Sequence, residues 1–233
     1  MQPTDGSKHR EDATARFVRF MVDTGVLRFG DFVGKSGRRM PYFIDAGRYR
    51  TGAQLAQLGR FYAASIAAHF GEDVDVLFGP AYKGIPLAVT TGIALAAEHD
   101  LDVGVAFDRK EAKDHGEGGS IIGHQLRDGD RVVIVEDVTT AGTSVRASVP
   151  LLRSQADVEV VGLVVGVDRR ERGTTERSAL VELAEEFGLA TVSLATIDDI
   201  VEQLTDVEID GRAVLDADDL ERIEAYRANH GAS

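Results

Sequence analysis

From residue 74 onward the chain alternates short apolar runs with longer amphipathic segments. The apolar runs are typical of strands buried on both faces of a parallel sheet, and the amphipathic segments have the spacing of helices packed against one. The strands are predicted at 74–78, 103–107, 132–135, 158–167 and 191–194, and the helices at 85–98, 144–154, 177–187, 197–204 and 216–229. This order predicts an α/β fold, a central parallel sheet flanked by helices.

The region before the sheet has a different pattern. Apolar residues recur at helical spacing over 12–23, two short β-rich segments follow at 27–29 and 40–45, and a second helix is predicted over 51–70. The β-rich segments are expected to form a small hood in the N-terminal region. The prediction is a single domain over 1–233, with the N-terminal helix and hood at about 12–50, the core sheet at about 51–195 and the C-terminal helices at about 196–230.

Composition narrows the class of protein. The 233 residues are 43% hydrophobic, enough for a full core, and no apolar run approaches the length that spans a membrane. There is no cysteine, which excludes disulfides and thiolate zinc sites and fits a cytoplasmic location. The net charge of −13 argues against a nucleic-acid-binding surface, because binding to a duplex depends on clustered cations.

The most informative segment is 131–146, where a buried-type strand runs through Glu136 and Asp137 into a turn rich in hydroxyls and glycine. Ligands bind at the carboxyl ends of such strands. Adjacent carboxylates can accept hydrogen bonds from two ribose hydroxyls. The turn offers donors to one phosphate at a helix N-terminus, from Thr139, Thr140, Thr143, Ser144 and the amides around Gly142.

Two alternatives apply to this segment. Unrelated α/β proteins also use a Thr or Ser cap after an acidic strand end, although two consecutive acids followed by T-T-A-G-T-S exceed what capping needs. A Walker-type nucleotide loop would require a lysine after the glycine, and none follows Gly142.

Only five of the 26 basic residues are lysines, and four of these fall in motifs. Lys83 stands between Gly79 and Gly84 in a tight loop after a strand, where it can reach a leaving pyrophosphate. The alternative is a simple turn and helix start.

The segment 109–119 carries four basic or potentially basic groups before a glycine-rich tail. Such a segment suits a polyanionic substrate and a closing lid; the alternative is a solvated surface loop. These four groups are Arg109, Lys110, Lys113 and His115.

Two further motifs flank the sheet. Lys35 precedes a Tyr-Phe-Ile patch whose apolar side chains can clamp a flat base, although a hairpin that simply buries Phe43 would look the same. The segment 167–173, Val-Asp-Arg-Arg-Glu-Arg-Gly, follows another buried-type strand. An arginine there can grip a carboxylate with two hydrogen bonds, or it can form an ordinary salt bridge at a strand end.

Taken in order, the motifs K-S-G-R-x-x-P-Y-F, G-P-A-Y-K-G-I-P-L-A, R-K-E-A-K-D-H-G-E-G-G, V-E-D-V-T-T-A-G-T-S and D-R-x-E-R-G resemble the orotate phosphoribosyltransferase family, within the type I phosphoribosyltransferase fold. The resemblance covers roughly residues 12 to 228. It implies transfer of the 5-phosphoribosyl group from 5-phosphoribosyl-1-pyrophosphate (PRPP) to orotate, with Mg²⁺ as cofactor and a homodimer as the working unit.

The resemblance also implies roles for individual residues. The implied PRPP-binding residues are Lys35, Tyr82, Lys83, Arg109, Lys110, Lys113, His115, Glu136, Asp137, Val138, Thr139, Thr140, Ala141, Gly142, Thr143 and Ser144. The implied catalytic residues are Lys113, Arg109, His115 and Asp137, and the orotate-binding residues are Phe43, Ile44, Thr140 and Arg169. No side chain is implied as a direct metal ligand, because substrate oxygens and water carry the metal in this family.

One departure and two rivals accompany the resemblance. Many family members have two aromatics where this chain has Phe43 and Ile44, which puts base affinity in doubt but not the reaction type. The rivals are a phosphoribosyltransferase for a purine or for uracil, and a PRPP-sensing transcription regulator on the same fold. The regulator would need a DNA-binding helical domain and a basic face, which the short N-terminal extension and the net negative charge do not supply.

Overall fold

The computed structural model of the chain describes residues 5–34, 37–109, 120–139 and 141–232. The helices are α1 Asp5–Asp23, α2 Gly52–His69, α3 Gly84–Glu98, α4 Thr143–Gln155, α5 Ala179–Phe187, α6 Ile197–Leu204 and α7 Ala217–His230. The strands are β1 Leu27–Val33, β2 Arg39–Ile44, β3 Val76–Phe78, β4 Gly104–Asp108, β5 Ile121–Gly123, β6 Arg131–Val138, β7 Glu159–Asp168, β8 Ala190–Thr196, β9 Glu208–Ile209 and β10 Arg212–Ala213.

A six-stranded sheet in the order β5, β4, β3, β6, β7, β8 forms the centre of the fold. All pairs in it are parallel except the edge strand β5, which runs antiparallel to β4. The predicted central sheet is confirmed as mostly parallel. β5 was not predicted, because three residues are too short to show a period along the sequence.

The sheet is covered on both faces because successive side chains of its strands point to opposite sides. Val133 and Val135 of β6 join a core with α1, α2, α3 and α6, while Val132 and Ile134 join a second core with α4 and α5. Burial on both faces explains why these strands read as continuous apolar runs.

The predicted hood is an antiparallel hairpin of β1 and β2, with an irregular register between Phe29 and Phe32. α7 packs against β2, so the end of the described chain returns to the hood. α1 begins at Asp5, before the predicted start at residue 12, because residues 5–11 are polar and carry no apolar period. A short hairpin of β9 and β10 between α6 and α7 was also not predicted.

Among the described residues, no helix combines the length and the apolar character needed to cross a bilayer.

Candidate active site

Four strands, β3, β4, β6 and β7, end at the same edge of the sheet, named here the carboxyl edge. The segments that leave these strands carry most of the described residues that the sequence predicted for the site. They are the loop 79–83 after β3, Arg109 after β4, the turn from Thr139 after β6 and Arg169 after β7. Parallel topology brings these distant segments together at the crevice where ligands bind in such sheets.

Glu136 and Asp137 are the last buried residues of β6, and each has a polar partner from another predicted motif segment. Glu136 accepts a hydrogen bond of 2.5 Å from the hydroxyl of Ser144 at the start of α4. Asp137 Oδ2 lies 2.7 Å from the Nζ atom of Lys83. Because side chains alternate along a strand, these two carboxylates leave β6 on opposite faces, one toward α4 and the other toward the hood.

Burial changes the ionisation of this cluster. The pKa of Glu136 is raised to about 7, chiefly because burial disfavours the charged carboxylate; the hydrogen bond from Ser144 opposes this rise and the adjacent Asp137 adds to it. Partial burial lowers the pKa of Lys83, but the hydrogen bond and charge of Asp137 outweigh it and the net shift is upward. Lys83 is therefore a cation at neutral pH, whereas Glu136 can take up a proton near pH 7.

The turn after β6 has the geometry of an anion site. Gly142 adopts a left-handed conformation, φ +68°, as it opens α4, and its amide donates to the hydroxyl of Thr139 at 3.0 Å. A Cβ atom on Gly142 would lie 2.9 Å from a methyl carbon of Leu183. Only glycine fits here without strain, and the first amides of α4 are left to meet a phosphate.

The loop after β3 is packed tightly against its own helix. A Cβ atom on Gly79 would lie 2.0 Å from the carbonyl oxygen of Gly84, so the loop requires glycine. The amide of Ala81 donates to the Asp108 carboxylate at the end of β4. The following peptide bond to Tyr82 is cis, and Tyr82 and Lys83 project outward with exposed side chains.

The hood separates the two predicted base-contacting residues. Ile44 lines a small cavity together with Tyr62 and Asp137, on the side that faces the sheet. Phe43 points to the other face of the hairpin, where its ring stacks on Phe32 at 5.6 Å and the Arg28 guanidinium lies 5.6 Å from its centre. The structure therefore brings Ile44, and not Phe43, next to the carboxylate of Asp137.

Arg169 is largely buried beneath the hood. Its Nη2 atom pairs with the carboxylate of Glu171, and its guanidinium lies 5.5 Å from the centre of the Tyr42 ring. Its Nε atom is buried without a hydrogen-bond partner. A buried donor without an acceptor is uncommon in folded proteins and marks a position where a ligand oxygen would fit.

Several predicted site residues lie outside the described part of the chain. These are Lys35, Lys110, Lys113, His115 and Thr140. Arg109, at the edge of that gap, is described: its amide donates to the carbonyl oxygen of Ser120, and its Nε atom is buried without a partner. Val138, Ala141, Thr143 and Ser144 lie in or beside the turn after β6, as predicted.

The structure also brings in residues that the sequence did not point to. Tyr62 of α2 is fully buried and donates to the carbonyl oxygen of Glu136 at 2.7 Å, which fixes the end of β6. Tyr42, Glu171 and Tyr226 surround Arg169. Glu171 lay inside a noted motif, but only its contacts show what it does.

Within the described ranges, no group of three or more histidine or acidic side chains is arranged to hold a metal ion. Glu136 and Asp137 are the only acidic pair predicted for the site, and each already has a polar partner. This donor set fits a Mg²⁺ ion that keeps most of its ligands from substrate oxygens and water.

A larger cleft of about 640 Å³ lies between α1 and α2. His69, at the end of α2, and His99, after α3, line it, and both precede strands, so the cleft lies toward the opposite edge of the sheet. It contains none of the predicted site residues, and its size does not identify it as the reaction centre.

Comparison with known proteins identifies relatives of the chain. The family model described as "Phosphoribosyl transferase domain" matches residues 45–195. The chain is 53% identical to the orotate phosphoribosyltransferase of Clostridium beijerinckii, over 93% of this chain and 96% of that protein.

Solved structures show the same similarity. The crystal structure of orotate phosphoribosyltransferase from Francisella tularensis matches with a TM-score of 0.79 and 33% identity, over 93% of this chain and all of that one. The Mycobacterium tuberculosis orotate phosphoribosyltransferase in complex with PRPP matches with a TM-score of 0.60 and 25% identity, over 81% of this chain and 98% of that one.

Proposed function

The chain belongs to the orotate phosphoribosyltransferase family, which transfers 5-phosphoribosyl from PRPP to orotate in pyrimidine biosynthesis, and we propose that the residues at its carboxyl edge perform this transfer. The products are orotidine 5′-monophosphate and pyrophosphate. The observation that carries the assignment of the site is the Lys83 to Asp137 ion pair of 2.7 Å. It joins the loop after β3 to the acidic end of β6, although Lys83 and Asp137 are 54 residues apart in the sequence. The reaction needs both segments close to the anomeric carbon of PRPP.

In this proposal PRPP lies across the end of β6. Glu136 and Asp137 accept hydrogen bonds from the ribose hydroxyls, and the 5-phosphate binds the turn from Thr139 to Ser144 at the N-terminus of α4. Neutral donors suit the phosphate, because the first amides of a helix already present partial positive charge. The carboxylates also favour the positive charge that develops on the ribose as the bond to pyrophosphate breaks.

Cations receive the leaving pyrophosphate. Lys83 stays protonated beside Asp137, and Tyr82 lies next to it with an exposed side chain. Arg109, Lys110, Lys113 and His115 are proposed to close over the pyrophosphate as a lid and exclude water. Mg²⁺ would bind mainly through pyrophosphate oxygens and water and would neutralise charge on the leaving group. In this proposal the transfer needs no protein nucleophile.

Orotate is proposed to bind between the hood and Arg169. Ile44 supplies an apolar wall beside Asp137, and the unpartnered Nε atom of Arg169 supplies a donor for an orotate oxygen. Thr140 and Phe43 complete the base site that the family resemblance implies. Because Phe43 lies on the outer face of the hairpin in this structure, its contact with the base would require the hood to move.

The working unit is proposed to be a homodimer in which each lid reaches the partner's site. One surface supports this: Pro86, Val89, Ile93 and Ala97 form an exposed apolar stripe along α3, at helical spacing. Contiguous apolar surface of this kind marks protein contacts. α3 begins directly after Lys83, so a partner bound to the stripe would lie beside the pyrophosphate site. The cytoplasmic location stays a prediction from the sequence.

Pyrophosphate release tests the proposed function. With PRPP and Mg²⁺ present, we expect pyrophosphate release with orotate and none above background with uracil or adenine.

Asp137→Asn should lower kcat/KM for this reaction about 100-fold, because it removes a charge that acts on the reacting sugar. Asp73→Asn is the control, since Asp73 is exposed and pairs with Arg131 at the other edge of the sheet. Release with uracil or adenine in place of orotate, or equal effects of the two variants, would overturn the assignment.

A further inference from the structure

We propose that Glu171 is a positioning residue for substrate recognition, and that it sets the orientation of Arg169 together with α7 and the hood. The inference depends on the proposed role of Arg169 in binding orotate. It adds that the base is recognised by an arginine whose orientation is fixed by a buried carboxylate. It therefore gives the C-terminal helix, which supplies no residue to the predicted site, a part in base recognition.

The contacts of Glu171 carry this inference. Its Oε1 atom accepts from the hydroxyl of Tyr226 at 2.9 Å and from that of Tyr42 at 3.4 Å, and it pairs with Nη2 of Arg169. Its Oε2 atom lies 3.4 Å from Nη1 of Arg38. One carboxylate thus joins the exit of β7, two parts of the hood and α7.

Burial makes this group rigid. The side chain of Glu171 is 4% exposed and that of Arg169 is 14% exposed. A buried carboxylate needs a paired cation, because an isolated charge away from water is strongly unfavourable. Arg169 is therefore held to Glu171 whenever both are ionised, and it cannot swing toward solvent without leaving the carboxylate with a weaker partner.

The orientation of Arg169 is fixed as well as its position. Its guanidinium lies 5.5 Å from the centre of the Tyr42 ring, and the hydroxyl of that ring contacts Glu171. Nη2 pairs with Glu171 and lies 3.4 Å from the hydroxyl of Tyr226, whereas Nε has no partner. Since a guanidinium is planar, fixing one nitrogen and the ring face fixes the direction in which Nε donates. This directed donor can select an oxygen of the base by position as well as by charge.

α7 contributes through Tyr226, and Arg172 makes a second set of contacts with the end of this helix. Arg172 donates from Nε to the carbonyl oxygen of Gly231 at 2.9 Å and from Nη2 to that of Asn229 at 3.1 Å. A change of Arg172 therefore weakens the docking of α7 without removing a contact that the structure gives to Arg169. If the role of Glu171 were purely structural, replacing Glu171 and replacing Arg172 would affect the two KM values in the same way.

The test is steady-state kinetics of Glu171→Gln and Tyr226→Phe in the full chain, with melting temperatures measured on the same samples. Glu171→Gln should raise KM for orotate about tenfold, because Arg169 loses its charged partner and its fixed direction, while KM for PRPP stays within about twofold. Tyr226→Phe removes one hydroxyl without a change of shape and should raise KM for orotate about threefold. Arg172→Gln is the matched control, expected to lower the melting temperature and leave the ratio of the two KM values unchanged.

The positioning role is overturned if both KM values rise together in Glu171→Gln, or if KM for orotate stays within about twofold of the wild type while the melting temperature falls. If Glu171→Gln does not fold, Tyr226→Phe decides by the same criterion. Arg169→Lys separates this inference from the proposed function. A normal KM for orotate in that variant overturns the base-binding role of Arg169, whereas a raised KM there with no effect of the Glu171 and Tyr226 variants overturns only the positioning role.

Discussion

At the scale of single residues, two carboxyl groups that look alike in the sequence have different surroundings. Glu136 bonds to a hydroxyl and its pKa is raised to about 7, whereas Asp137 bonds to the ammonium group of Lys83. Adjacent positions on a strand point to opposite faces, so neighbouring residues meet different partners. Asp137 is thus tied to a cation, and Glu136 can exchange a proton at neutral pH.

PRPP binding should therefore depend on pH through Glu136. Below about pH 7 the carboxyl group is increasingly protonated and accepts ribose hydroxyls less well, so affinity should fall by up to about tenfold per pH unit. Calorimetric titration across about pH 5.5 to 8.5 measures this. Glu136→Gln, titrated in the same way, isolates the contribution of the ligand's own phosphates. Identical pH profiles for the two proteins would contradict the prediction.

The same shift predicts an effect on stability. Because the folded-state pKa of Glu136 lies above its unfolded value, stability linked to the neutral carboxyl group is complete below about pH 4.5 and is lost as the pH rises through about 7. The Glu136→Gln protein should then melt at a higher temperature than the wild type at about pH 8, and the difference should shrink toward about pH 5.

Replacement of Lys113 tests the role proposed for the lid. Lys113→Ala should lower kcat by about 100-fold or more and weaken PRPP binding by less than about tenfold, because the ammonium group acts mainly on charge that develops as pyrophosphate leaves. Lys8→Ala is the control, since Lys8 is the one lysine outside the motifs. Single-turnover kinetics and a binding titration measure the two effects. An unchanged kcat would remove the lid lysine from the mechanism.

At the scale of elements, the packing of α2 on α3 positions the loop that carries Lys83. The two helices approach closely at Gly59, where a Cβ atom would lie 2.4 Å from the carbonyl oxygen of Thr90. Such an approach requires a residue without a side chain. α3 begins one residue after Lys83, so any shift of α3 along α2 changes the distance from Lys83 to Asp137.

Gly59→Ala should therefore destabilise the fold by about 1–3 kcal/mol, since the new methyl group meets backbone that has to move. Gly52→Ala provides the matched control: no atom lies within 4 Å of the position that its new methyl group would take, so the change should be neutral or stabilising by up to about 1 kcal/mol. Urea unfolding measures both, and PRPP affinity should fall only in Gly59→Ala. Equal stability of the two variants would contradict this account of the helix contact.

At the scale of the whole molecule, the proposed dimer links an exposed surface to catalysis. Ile93 is 64% exposed and Val89 is 39% exposed, although both lie on a helix whose other face is fully packed. Covering this stripe with a second copy would remove apolar surface from water and bring two active sites close together.

Ile93→Asp should therefore shift the protein from a dimer to a species near the chain mass of 25.1 kDa, because a charge in an apolar interface is unfavourable. Activity should fall with dissociation, since each lid is proposed to act on the partner's site. Val181→Asp is the control, as Val181 is an exposed apolar residue on α5. Analytical ultracentrifugation distinguishes the two states, and a fully active monomer of the Ile93 variant would rule out shared sites.

The sequence by itself determined the class of fold, the order of most strands and helices, and the family. These properties are readable because they are local: apolar runs mark strands buried on both faces, and the acidic strand end with its Thr-rich turn lies within one short segment. The lid lysine and the other site residues that lie outside the described ranges remain predictions from the sequence.

Only the tertiary structure decided which side chains meet. Glu171 lies 129 residues from Tyr42 and 55 from Tyr226, and no local pattern records such contacts. The separation of Phe43 from Ile44 likewise follows from the way the hood packs, because the sheet-facing side of the hairpin is set by burial against distant elements. The edge strand β5 forms for the same reason: three residues become a strand when β4 supplies the hydrogen-bond partners.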